Sequence, residues 1–583
     1  MSKIIAIELE NFQSIESRTR IELKPITLMF GPNSAGKSAI FDAIELLRQI
    51  LDPTLADEKI ITQMVDRWAR RKGDEKIRDL FLAIEFEVDL SVEPQDMWRE
   101  GNLGVYSSKA NFPYIFWDQD VLEEKGLHSL STARIELRID VENHQTHQFC
   151  SISESKFYLN GSIVAAICKD YPGILTKDQN DQVIKTKKKE LKARKNSDLK
   201  TFVNYKERYF VVPYRPENIF LNTELVSAQY DMQSVEFGTH AFLTLVDTSY
   251  SPYQIYPAGF GEDFDKTLQY ATDIFFYFGA SFCKLIRNLP GVVKGDRRAP
   301  SPHEAIFLVD LNLGGWWLDG SLSTSIQALM LESSKQNIDE HLKGLAELTH
   351  ADLLLRATKN ENWGGSHAAK YIEEVRNLSN QLASINAHLE RSLFKEKLYK
   401  LTCESIALVP LDLTEDDPRG YYILAQPAAV KLLLSDQNGL KLQLQDVGSG
   451  IPFVLPVLYA ATSGGFAMIQ QPELHLHPAL QSSIADIFIE EVNQNSNSQF
   501  LIETHSEHLL LRILRRIRET EKKKALSSSL EISHDRVAVY YFDPQITGET
   551  IITSLPITPL GDFYTDWPRG FFEERNNDLF DED

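Results

Sequence analysis

Residues 26–47 read ITLMFGPNSAGKSAIFDAIELL, and no other stretch limits the fold so tightly. An apolar run, Ile26 to Phe30, meets GPNSAGKS (Gly31 to Ser38), and a helical pattern follows with Ile40, Ile44 and Leu47 on one face. This is GxxxxGKS in the setting it requires, strand before and helix after. Glycines let backbone N–H groups curl around phosphate oxygens, and the helix N-terminus adds partial positive charge. Lys37 is placed to reach the outer phosphates, and the Ser38 hydroxyl is a candidate magnesium ligand. Asn33, Gly36, Lys37, Ser38 and Ala39 are therefore the candidate nucleotide contacts.

The flanking and distal motifs extend this reading. IIAIELENFQSI at the N-terminus, then IELKPITLMFGPNSAGKS, resembles the first lobe of the RecF, SMC and OLD-type ABC ATPases. LQDVGSG (Leu444 to Gly450) resembles their signature turn and opens the apolar helix IPFVLPVLYAAT. MIQQPELHLHP (Met468 to Pro478) is similar to their Walker B segment, and FLIETHSEHLLLRI to the next strand with its switch histidine, His505. The resemblance implies an α/β fold: an ABC-type P-loop ATPase head, with a mixed-sheet lobe and a RecA-like lobe assembled from both chain ends. It also implies ATP and Mg2+ as cofactors and head-to-head self-association, with Ser449 and Gly450 capping a partner's nucleotide.

Two departures bear on activity. The family's acids at the end of the Walker B strand are Gln470 and Gln471 here. An amide can orient water but cannot accept its proton, and losing a general base removes about 10²–10⁴ in rate. Glu473 is near enough in sequence to be a substitute. The signature turn continues with Pro452 and Phe453 where the family has Ser and Gln. Both departures imply slow or absent hydrolysis, with Gln470, Gln471, Glu473 and His505 as the candidate catalytic set.

Between the motifs, 80–90, 133–141 and 155–167 alternate like strands. The boundaries expected are 1–170 for the first lobe, 171–205 for a basic polar insertion and 206–320 for the rest of that lobe or an insertion. A helical insertion at 321–405, the second lobe at 406–530 and a small C-terminal α+β domain at 531–583 complete the chain. Val375, Leu378, Leu382, Ile385 and Leu389 form a stripe that suits either a core face or a protomer contact.

The chain has 583 residues and a formal net charge of −22, which argues against indiscriminate nucleic-acid coating. Lys185 to Lys200 is the exception, with eight basic and two acidic residues. A solvated loop or a contact to DNA or RNA backbone would account for it. Arg512, Arg515, Arg516 and Arg518 read equally well as a solvent-facing helix surface. Four scattered cysteines form no CxxC pair, and there is no long apolar run or signal core, so a cytoplasmic protein without membrane contact is expected. His475, His477, His505 and His508 have spacings that zinc would accept, but the ATPase motifs already account for both segments.

The last 75 residues contain two strand-like runs and then GDFYTDWPRGFFEE. They lack the clustered acids of an OLD-type nuclease domain and resemble the tail of RecF-like ATPases in bacterial defence cassettes. Septu-type and retron-linked anti-phage ATPases are similar, and these act with a nuclease on a separate chain, such as an HNH protein. The alternative is an active RecF-like DNA-repair motor, and a third reading is a scaffold whose nucleotide never exchanges.

Overall fold

The computed structural model describes residues 3–51, 58–70, 79–89, 130–143, 148–169, 209–213, 228–230, 292–293, 306–308, 383–395, 397–406, 429–444, 446–448, 450–525 and 527–565. The basic segment 185–200, the positions Val375, Leu378 and Leu382, Ser449 and the WPRGFF tail lie outside them. In chain order the first elements are β1 (Ile4–Glu10), β2 (Thr19–Glu22), β3 (Ile26–Phe30), α1 (Ala39–Leu51), α2 (Glu58–Trp68) and β4 (Leu80–Asp89). Next come β5 (Leu130–Asn143), β6 (Gln148–Leu159), β7 (Ser162–Lys169), β8 (Tyr209–Pro213), β9 (Ala228–Tyr230), β10 (Val292–Val293) and β11 (Ile306–Leu308). A short π-helical stretch, Leu389–Leu393, precedes β12 (Lys400–Ile406), β13 (Ala429–Ser435) and β14 (Lys441–Gln443). The chain then forms α3 (Gly450–Thr462), β15 (Phe466–Gln470), α4 (Pro478–Gln494), β16 (Gln499–Glu503), α5 (Glu507–Glu521), β17 (Val537–Pro544) and β18 (Thr550–Ser554).

Two compact units result. The first takes Met1–Leu23, Pro32–Asn288 and Phe542–Thr553; the second takes Lys24–Gly31, Leu289–Tyr541 and Ser554–Asp583. In the first, eight strands run antiparallel in the order β2-β1-β4-β5-β6-β7-β8-β9. Alternation drives it: Ala133, Ile135, Leu137 and Ile139 of β5 are buried, while the residues between them are polar. The run expected as one strand over 155–167 is instead a hairpin. Asn160 and Gly161 both have positive φ (47° and 79°), the two-residue turn that matches strand twist. On the polar face, Glu8 takes hydrogen bonds from Arg18 and Arg134. Burial opposes its ionisation, yet the two guanidiniums prevail and hold this carboxyl below the usual range.

The second unit is built on parallel strands in the order β10-β15-β16-β3-β17. Ile26 of β3 is level with Phe500 of β16 and Val537 of β17. The two chain ends therefore share one sheet, as expected, and the C-terminal strand β17 joins it directly beside β3. β3 and β16 are buried at every position, the continuous apolar run of a parallel sheet covered on both faces. Leu28, Ile469, Ile502 and Val539 pack into one core with α3, α4 and α5. Ile385 and Leu389 join that core, so the described members of the heptad stripe face inward. The end of the stretch expected to be helical over 321–405 runs from Lys400 into strand β12, which is paired with β13.

Arg515 and Arg518 of α5 face solvent as expected, 59% and 41% exposed, and Arg516 does not. Arg516 is 2% exposed and donates to both oxygens of Asp486 on α4, each at 2.8 Å, and to Glu519 at 2.6 Å. Those bonds from Asp486 and Glu519 raise its affinity for the proton despite burial. An i,i+3 carboxylate and an aspartate on the neighbouring helix make this arginine an internal tie rather than a surface cation.

Candidate nucleotide site

The phosphate loop gets its shape from three residues with positive φ: Gly31 (147°), Ser34 (62°) and Gly36 (82°). At Gly36 the requirement for glycine is double, since a Cβ there would also overlap the Ser14 hydroxyl. Lys37 is 3% exposed, and its ammonium donates to the Pro32 carbonyl at 2.9 Å, which lays the side chain across the loop. The N–H of Ala39 bonds to Gly36 O at 3.1 Å and that of Asp42 to Ser38 O at 3.1 Å, so α1 starts directly on the loop. Ala39, Ile40, Phe41, Ile44 and Leu47 are buried and anchor it. A buried cation and the start of a 13-residue helix form a donor set that fits an oligophosphate. Asn33, Gly36, Lys37, Ser38 and Ala39 all belong to the first unit.

Gln470, Gln471, Glu473, His505 and Gly450 belong to the second. Gln470 ends β15 level with Glu503 at the end of β16. Gln471 leaves the strand with φ at 46°, its N–H bonded to Glu503 O at 2.6 Å. A non-glycine residue in the left-handed region is uncommon and marks a turn that its surroundings enforce. Glu473 is tied down at both oxygens: Oε2 accepts from the Thr504 hydroxyl at 2.8 Å and Oε1 from the His505 N–H at 2.7 Å. The structure thus brings Gln471, Glu473 and His505 together through the ends of β15 and β16.

Helix α3 packs on the same turn. A Cβ on Gly450 would come within 3.3 Å of His475 O and 3.2 Å of Leu476. Phe453 packs edge-on against the His475 ring at 4.3 Å between centroids. Two of the four histidines thereby have packing or capping duties, since His477 accepts from Ala479 N and caps α4. Among the described residues no group of His, Cys, Asp and Glu is arranged to hold a metal.

Sequence reasoning missed Glu503. It is 7% exposed, sits on the strand between β15 and β3, and is level with Met29, two residues before the start of the phosphate loop. The available signal was an acid ending an otherwise apolar strand, FLIE.

With this geometry in place, the comparisons decide the family. The family model for an AAA ATPase domain matches residues 2–510. The chain belongs to the AAA ATPase domain family. A second model, described as a protein of unknown function (DUF3696), matches residues 532–581. No curated protein matches the chain. Among solved structures, an SMC head bound to the C-winged helix domain of ScpA shares 10% identity, with a TM-score of 0.37 over 95% of this chain and 98% of that one. An SMC head domain with an extended coiled coil, derived from Pyrococcus furiosus, gives 12%, 0.35, 95% and 97%. The SMC head domain from Thermotoga maritima gives 10%, 0.30, 95% and 100%. TM-scores this low leave the family match to stand alone. Among the described residues of this AAA ATPase domain protein, no helix is long and apolar enough to cross a membrane.

Proposed function

We propose that this chain is an ATP-binding ABC-type ATPase subunit whose nucleotide holds a conformation, with slow turnover, and which gates a separate nuclease in anti-phage defence. The observation that carries the slow-turnover reading is a contrast. A complete phosphate loop with a buried Lys37 accompanies a Walker B-like strand that ends in Gln470 and is followed by Gln471, both amides. Lys37 and the loop N–H groups would bind phosphates. Gln470 and Gln471 would orient water without taking its proton. Magnesium takes oxygen ligands, and Ser38 would supply one. When bound, the ion would offset phosphate charge. Gly448 to Gly450 would cap a partner's nucleotide in a head-to-head pair, and His505, fixed by Glu473, would read the outermost phosphate. The defence role and the nuclease partner rest on the WPRGFF tail.

The test begins with Lys37→Ala, which should abolish the rise in melting temperature that ATP gives wild type, because ligands stabilise the state they bind. Purification from the native operon should then recover a nuclease chain. Wild type that binds no nucleotide, or that co-purifies with repair factors on DNA and turns over several ATP per second, would overturn the reading.

One observation favours the second reading, an active RecF-like motor. The buried carboxylate of Glu503 stands beside Gln470 and returns a negative charge to that sheet edge. If it serves magnesium, Glu503→Gln should remove the gain in ATP affinity that magnesium brings, measured by calorimetry with and without the ion.

A further inference from the structure

The phosphate loop in the first unit rests on a residue more than 500 positions away. Thr550, at the start of β18, is 3% exposed, and its hydroxyl lies 2.9 Å from the carbonyl of Ala35 and 2.8 Å from the hydroxyl of Ser14. A carbonyl only accepts, and a threonine hydroxyl has one hydrogen. One assignment satisfies both contacts: Ser14 donates to Thr550, and Thr550 donates to Ala35 O. In a trans peptide the C=O and the following N–H point opposite ways. Holding the Ala35 carbonyl toward Thr550 therefore sends the Gly36 N–H to the other side of the loop, the side a phosphate would take.

The support is broad. Thr550 N–H bonds to Ser14 O at 2.8 Å, Ser17 donates to Glu549 at 2.8 Å, and Arg70 donates to Gly548 O at 3.1 Å and Gln13 O at 3.3 Å. Gln13 donates to Asp42 of α1 at 2.6 Å. The turn over Asn11–Ser17 thus ties the loop and its helix to the tip of the β17–β18 hairpin.

We infer that Thr550, acting with Ser14, is a positioning residue for the phosphate loop. This gives the C-terminal segment, matched only to a family of unknown function, a defined part in nucleotide binding. The inference rests on the chain being a nucleotide binder, as proposed above.

Calorimetric titration of the full chain with ATP and magnesium tests it. Thr550→Val keeps the shape and removes the donor, and should weaken ATP about five- to tenfold, the worth of one hydrogen bond. The melting temperature without nucleotide should stay within about 2 °C, since only that bond is lost. Thr550→Ser should restore affinity to within about twofold, because it returns the same donor. ADP should lose as much as ATP. A purely structural role would lower the melting temperature and leave the dissociation constant alone, and that result would overturn the inference. Should Thr550→Val fail to fold, Ser14→Ala decides: about threefold weaker binding supports the relay, and wild-type affinity ends it. Wild type that binds while both variants match it refutes this inference alone; wild type and Lys37→Ala equally unable to bind refutes the functional reading and this inference together.

Discussion

Gly31 to Ser38 keep every residue type that a phosphate loop needs, with a left-handed backbone at Gly36 and a buried Lys37. The ends of β15 and β16 have been rebuilt instead. Gln470 and Gln471 are amides where the resemblance expects acids, Glu503 stands beside Gln470 on the next strand, and Glu473 spends both oxygens on Thr504 and His505. Phosphate binding depends on backbone geometry that few sequences satisfy. Water activation depends on one side chain, which a single substitution removes. Within one family, the first is therefore a better guide from sequence than the second.

The comparison breaks most visibly at Gly36. Alanine there would need φ near 82°, a region that costs an L-residue roughly 1–2 kcal/mol, and would press on the Ser14 hydroxyl. ATP affinity in Gly36→Ala should fall about 10²-fold, which corresponds to roughly 3 kcal/mol. Calorimetry giving less than a threefold change would mean that the loop is not the binding element.

A second effect, of opposite sign, is expected at the strand ends. Gln471→Glu would supply the missing base, and steady-state ATP turnover should rise, by up to about 10²-fold. Gln470→Glu should add to it, and the double variant should exceed either if the pair acts together. If ATP acts by holding a state, the faster enzyme should regulate its partner less well. A wild-type rate already at several per second, dependent on Lys37, would show that the chemistry survives elsewhere.

Much of this was legible in the sequence, for local reasons. The strand–loop–helix at 26–47 follows a local pattern, and the helix after DVGSG is a continuous apolar run, buried from Ile451 to Ala461. That residues 1–50 come beside residues 440–510 followed from motif order in the resemblance; the β3–β16 register did not. What escaped is non-local. The Thr550–Ala35 bond joins positions with no shared pattern. Arg516 looks like any other arginine on α5 until Asp486 of α4 is placed against it. Nothing in FLIE says that Glu503 lies beside Gln470.

Glu473 sharpens the comparison further. As a clamp it accepts two hydrogen bonds, each of a kind worth about 1.5–3 kcal/mol when the acceptor is charged. Glu473→Gln keeps one acceptor and turns the other into a donor facing a donor, so stability should fall by about 2 kcal/mol, read from urea unfolding, with residual turnover little changed. Abolished turnover at unchanged stability would identify Glu473 as the base and make the two glutamines irrelevant.

The smallest effect concerns an acid on α4 that no strand end uses. Burial raises the proton affinity of Glu490, with His388 and Arg516 opposing and Asp486 and Glu491 assisting. His388 ties this helix to the segment before β12 through Glu491 at 2.7 Å and lies 3.7 Å from Glu490. A carboxyl whose folded pKa lies above its unfolded value binds protons better when folded, so stability increases as pH falls through that pKa and is reduced above it. Glu490→Gln mimics the protonated form. It should raise the melting temperature at neutral pH, by an amount worth less than about 1 kcal/mol, and the difference from wild type should shrink as the solution is acidified. A difference that grows on acidification would mean that the pairing with His388 outweighs burial.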